Sequence, residues 1–234
     1  MIKARFASRE RLGLTKAEFA ILRRLNTPEK IQAYLDAIPQ NFEIGGETCL
    51  SVREALGQKR ALCIEGAMIA AAALWVHGEP PLLMDLKATR DYDHIVTLFR
   101  RNGCWGAISK TNHPILRWRD PVYRSLRELA MSYFHEYCNK RHQKRELAMS
   151  YFHEYCNKRH QKTLRSYSAG FDMRRLDPAT WVTQKKSCWD VGWALDEARH
   201  YALITKRQAK LLRLRDPLER EAHQLSHHKR PQAK

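Results

Sequence analysis

Along the chain the spacing of apolar positions changes several times, and each change marks an element. In LTKAEFAILRRL, Phe19, Leu22 and Leu25 recur at helical spacing, and Thr15 with Glu18 forms a capping-box pattern ahead of them. NTPEKIQAYLDAIP predicts a second helix. Thr27 caps it, Pro28 takes its first position, Ile31, Tyr34, Leu35 and Ile38 line one face, and Pro39 ends it. TCLSVREALGQKR reads as a short third helix stopped near Gly57. From Cys63 through Val76 nearly every position is apolar, and Glu65 carries the only charge. A helix that is apolar all round is buried all round, so this segment is expected at the centre of the fold. Its alanines and Gly66 let neighbours approach closely, and Gly78 with Pro80 and Pro81 ends it.

The pattern then shortens to strand length. PLLMDLKA, HIVTLF and CWGAIS predict three strands, the last two joined through Asn102-Gly103, a strong hairpin signal. If those two residues form the turn, His94 opposes Thr111 and Val96 opposes Ser109, all on one face. Asp93 then points to the other face. The expected class is α+β: a buried central helix on a small antiparallel sheet, flanked by N-terminal helices and a long C-terminal helix. That last helix is expected to start with Asp120 as cap and Pro121 at the first position.

The long helix carries an unusual feature. RELAMSYFHEYCNKRHQK occupies residues 127–144 and recurs without change at 145–162. Eighteen residues make about five helical turns, so the duplication returns every later side chain to its original face, about 27 Å further along the axis. Tyr133, Phe134 and Tyr137 return as Tyr151, Phe152 and Tyr155, a potential self-association patch. The organisation read from these patterns is N-terminal helices over 1–40 and a core over 41–120. A helical extension over 121–204 and a basic tail over 205–234 follow.

Composition narrows the function classes. No apolar run approaches the roughly 20 residues of a membrane-spanning helix, and MIKARFASRERLG lacks the apolar stretch of a secretory leader. A soluble cytoplasmic protein with no membrane partner is expected. Its six cysteines, without a CxxC pair, are expected as free thiols. A net charge of +17 attracts polyanions, which makes non-specific nucleic-acid binding an expected property. The basic residues are scattered, and no complete nucleic-acid-binding motif accompanies them. His135, Cys138 and His142, with their copies His153, Cys156 and His160, share a helical face at spacings that suit zinc. The two sets lie about 27 Å apart along one helix, and HEYCN is not HExxH, so a chance polar face is the better reading. No metal or cofactor is expected.

Two residues carry candidate chemistry. Cys63 opens the buried helix, where the helix's positive end favours a thiolate. His94 begins a strand just after the acidic DYD, as the histidine of a Cys-His pair would. The order of the short helix, RALCIEGAMIAAAALWVHGEPPLLMDL and DHIVTLF with NGCWGAIS resembles the transglutaminase-like domains of the papain-like cysteine-enzyme superfamily. In that family a cysteine opens the central helix, a histidine begins a strand, and an aspartate follows a tryptophan on the next strand. Cys63, His94 and Trp105 match, the aspartate position falls near Ser109, and Ala61 stands where glycine is usual. Asn112 is the other candidate to orient the histidine, as an asparagine does in papain-like enzymes. The resemblance covers residues 45–112 and implies thiol-dependent acyl transfer or amide hydrolysis. His94 would deprotonate Cys63, and backbone N–H groups at the helix start would hold the oxyanion. It equally implies an inactive relative acting as a protein-interaction module with a peptide or protein partner. A basic nucleic-acid-associated protein is the third reading.

Overall fold

A computed structural model describes residues 5–43, 46–89, 91–136, 162–222 and 225–229. Three short helices come first: α1 (Lys16–Arg24), α2 (Pro28–Ala37) and α3 (Val52–Gln58). Their starts follow the sequence signals. Thr15 and Glu18 complete a reciprocal capping box, Thr27 caps α2 with Pro28 in its first turn, and Ser51 caps α3. Then α4 (Cys63–Val76) runs through the centre, buried without a break from Ile64 to Trp75. Its outer side is covered by Leu22, Ile31, Leu35, Val52 and Leu56 of the earlier helices, and Trp75 stacks on the buried Trp181 at 6.4 Å between centroids.

The inner side of α4 lies on an antiparallel sheet. Its strands are β1 (Leu82–Ala88), β2 (His94–Arg101), β3 (Cys104–Ile108), β4 (Arg119–Tyr123), β5 (Leu164–Ser168), β6 (Phe171–Asp172) and β7 (His200–Ala202). The spatial order is β4-β3-β2-β1-β5-β7, with β6 also paired to β1. Asn102 and Gly103 both have positive φ, as a type I′ turn requires, and they set the β2–β3 register at Thr97 opposite Ile108. Side chains alternate across β2. Ile95, Thr97 and Phe99 face α4, and the Thr97 hydroxyl donates to the Ala67 carbonyl at 2.8 Å. Val96 and Leu98 face the other way, into a second core with Leu129, Ala130 and Tyr133 of α5 (Leu126–Phe134). α6 (Trp189–Asp196), α7 (Lys206–Ala209) and α8 (Pro217–Ala222) are the remaining described α-helices. None of the described helices is long and apolar enough to cross a membrane.

The α+β class and the buried central helix agree with the sequence reading, but the C-terminal half differs from it. Residues 119–123, expected to begin a long helix, form β4 at the sheet edge, where a proline costs no ladder hydrogen bond. Asp120 does not cap a helix. It accepts from the Trp118 indole at 2.8 Å, and Ser125 caps α5. The sheet is also larger than three strands. Residues 164–202, expected to be helical extension, contribute β5, β6 and β7 beside α6. Most of the duplication, residues 137–161, lies outside the described residues, as do Cys138, His142, His153, Cys156 and His160. In the same region Trp181 is buried, Trp189 packs partly buried against the core and Trp193 is exposed.

One close approach helps to hold α4 in place. Gly66 faces Lys110, and a Cβ at Gly66 would stand 2.3 Å from the Lys110 Cβ. Lys110 is itself buried, and its ammonium donates to the Leu35 and Ile38 carbonyls at the end of α2. It thereby satisfies acceptors that the helix end leaves open. Burial pushes this amine down to about 8. Gly57, by contrast, has open space around its Cβ direction within α3. Gly66→Ala is therefore expected to destabilise the fold by about 3 kcal/mol or more through overpacking. Gly57→Ala should stabilise it by roughly 0.5–1 kcal/mol through lower chain entropy in the unfolded state. Urea denaturation of the two variants beside the parent checks both signs.

Candidate functional site

Cys63 sits where the sequence placed it, at the first position of α4, as a partly exposed free thiol. Burial of its surroundings pushes the thiol up to about 11. The Ile95 and Ile64 N–H groups favour the thiolate, and the nearby Glu65 and Asp85 oppose it. The helix start also has a carboxylate of its own. Glu65 is fully buried and accepts from the Leu62 N–H at 2.6 Å and the Leu50 N–H at 2.7 Å. The positive end of α4, expected to activate the sulfur, is thus already compensated by Glu65.

His94 begins β2 and points away from α4. Its ring shares a face with Val96 and Leu98 and packs edge-on against Tyr133 at 6.4 Å between centroids. Nε2 lies 2.6 Å from the Ser109 hydroxyl. Burial pushes the imidazole down to about 4, against the Leu116 carbonyl that favours the charged ring. A thiol near 11 and an imidazole near 4 keep the proton on sulfur, the reverse of a thiolate–imidazolium pair.

The structure joins His94 to Ser109, the diagonal neighbour expected from the hairpin register. Ser109 is held in turn by Gln32, whose side chain bonds both its N–H at 2.9 Å and its carbonyl at 3.0 Å. It does not bring Asn112 to the ring. The Asn112 amide pairs with the backbone of His228, donating to its carbonyl at 3.0 Å and accepting from its N–H at 2.7 Å. His227 and His228, within the expected basic tail, are docked here.

A second polar cluster lies on the α4 side of the sheet. Asp85 of β1 stands opposite Ile95 and is 2% exposed. One oxygen lies 3.0 Å from His200 Nε2, and the other is buried without a hydrogen-bond partner. His200 Nδ1 donates to the Ala198 carbonyl at 2.7 Å, so a proton on both nitrogens suits this setting, and Asp85 raises the imidazole accordingly. Asp93 accepts from the Ala88 N–H at 2.8 Å, and burial together with Asp85 pushes its carboxyl up to about 7. Asp196, at the end of α6, is ion-paired with Lys87. One carboxylate oxygen from each of Asp85, Asp93 and Asp196 lies within 4.8 Å of the other two. The sequence held a signal for this cluster. Asp85 interrupts the apolar run from Leu82 to Leu86, and Asp93 was expected on the face opposite His94. What it lacked was α6 and β7, which bring Asp196 and His200 from over a hundred residues away.

No protein-family model matches the chain, and no curated protein matches it in sequence.

The buried His94 makes stability depend on pH. Its folded pKa lies below the unfolded value of 6.5, so the unfolded chain takes up the proton first as pH falls. The stabilisation is complete above about 6.5 and is lost progressively toward pH 4. The loss amounts to about 3 kcal/mol. Denaturant unfolding of parent and His94→Gln between pH 7 and 4 should show this share in the parent and not in the variant.

Proposed function

We propose that this chain uses a transglutaminase-like layout as a protein-interaction module rather than as an acyl-transfer enzyme. The order of a cysteine at the start of a buried helix, a histidine opening a strand and a tryptophan on the next strand supports the layout. The observation that carries the reading is the position of His94. Its ring is buried on the sheet face away from α4 and bonded to Ser109, so it is not poised as a base for Cys63.

The partner surface is assigned to the C-terminal segment. Arg215 is buried and donates to the His135 carbonyl, which anchors the segment to the end of α5. Around that anchor, Leu211, Leu214 and Leu218 are exposed, interleaved with the exposed Lys206, Arg207, Lys210 and Arg213. Exposed leucines flanked by cations fit an acidic, amphipathic peptide or protein segment: apolar contact supplies binding, and charge steers the encounter. The net charge of +17 keeps a nucleic-acid partner as the competing reading.

Two measurements separate the readings. Alkylation of Cys63 by iodoacetamide, followed by peptide mass spectrometry, should be slow below pH 9 and equal in parent and His94→Ala. A thiolate forming well below pH 8 and lost in His94→Ala would overturn the proposal in favour of Cys-His acyl transfer. In fluorescence anisotropy, a labelled acidic leucine-rich peptide should bind the parent and lose binding to the Leu211→Ser, Leu214→Ser, Leu218→Ser triple variant. RNA binding that survives the triple substitution and falls steeply with salt, with no peptide binding, would instead support the nucleic-acid reading.

A further inference from the structure

We propose that Asp85, Asp93 and Asp196 form a binding site for one hard divalent cation of the Ca²⁺, Mg²⁺ or Mn²⁺ class. Three elements supply the carboxylates: strand β1, the residue before β2, and the end of α6. Their oxygens already lie within 4.8 Å of one another. Ligands about 2.1–2.5 Å from a common ion stand at such separations from each other, so the three can meet one cation with little rearrangement. An all-oxygen carboxylate set favours hard cations over zinc or copper.

The second observation is independent of the crowding. Asp85 is 2% exposed, and its Oδ1 has no hydrogen-bond partner among the described residues. A buried carboxylate oxygen left without a partner is costly, and a cation bound by the three carboxylates would remove that cost. The rest of Asp85 is fixed. Oδ2 holds His200, and its backbone N–H donates to the Ser168 hydroxyl at 2.9 Å. Asp93 is likewise held through Oδ1 on the Ala88 N–H, which leaves its second oxygen for a ligand.

The site has a gate as well as ligands. The Asp196 side chain is 49% exposed and that of Lys87 is 32% exposed, so the cluster opens to solvent on that side. Lys87 pairs with Asp196 in the place a metal would claim. Its flexible stem can carry the ammonium into water when the ion enters. Lys87 is therefore a competitor for the site rather than a ligand.

Titration of the full chain with MnCl₂, read as loss of the free Mn²⁺ electron paramagnetic resonance signal, tests this. One Mn²⁺ should bind per chain with a Kd on the order of 10⁻⁴ M or tighter, and Ca²⁺ should displace it. Asp93→Asn and Asp196→Asn should each weaken binding by about tenfold or more. Asp196 is half exposed, so its variant tests the site without disturbing the core. Lys87→Gln should tighten binding. No binding at ~1 mM Mn²⁺, at the weak end of known sites, or equal affinity in the parent and both asparagine variants, would overturn the proposal.

Discussion

The carboxylate of Glu65 is fully buried, and the packing of the N-terminal half depends on its hydrogen bonds. It accepts from the Leu62 and Leu50 N–H groups and from the Asn41 amide, so one side chain ties the start of α4 to the preceding segment. Burial raises its pKa against the hydrogen bonds that favour its charge. An acid in this position is tolerable because it occupies the open N–H groups of a helix start. With that end fixed, α4 can have protein on every side, and the sheet and α1 to α3 can pack against it at alanine and glycine distances.

The same helix divides the polar residues of the fold into two groups. Strand alternation sends Asp85 and Ile95 toward α4, and sends His94 toward α5. Cys63 starts α4 and His94 faces α5, so the plane of the sheet separates them. Each is then neutralised by its own surroundings. The cysteine has carboxylates nearby, and the histidine lies in an apolar core with Ser109 and Tyr133. A Cys-His pair needs both groups in one pocket with the imidazole the stronger base. Here the two lie on opposite faces of the sheet, and burial lifts the thiol and lowers the imidazole.

The group gathered on the α4 side is acidic, and this is notable in a chain with a net charge of +17. Asp85, Asp93 and Asp196 concentrate negative charge at one partly open place, with Lys87 and His200 as their only close counterions among the described residues. The basic residues are spread more widely, and the exposed leucines of the C-terminal segment lie among them. The acidic cluster and the basic C-terminal segment are thus different in chemistry and are built from separate elements.

The sequence by itself determined the elements whose signals are local. Thr15 and Thr27 announce helix starts, the unbroken apolar run makes α4 a buried helix, and Asn102-Gly103 places the hairpin and its register. These follow from backbone hydrogen bonding and from side-chain periods of 3.6 and 2 residues, which a short window contains. Parity even placed Ser109 beside His94 and Asp93 on the opposite face. Which face α4 would cover was decided only in three dimensions, because alternation is symmetric between the faces until a helix packs on one of them. Tertiary pairing also turned Asp120-Pro121 into an edge strand against β3, where a local cap signal had suggested a helix. It likewise carried β5, α6 and β7 back across the sheet to complete the acidic cluster. Pairings of that kind are decided by free energy gained across long chain separations, and no local pattern records it.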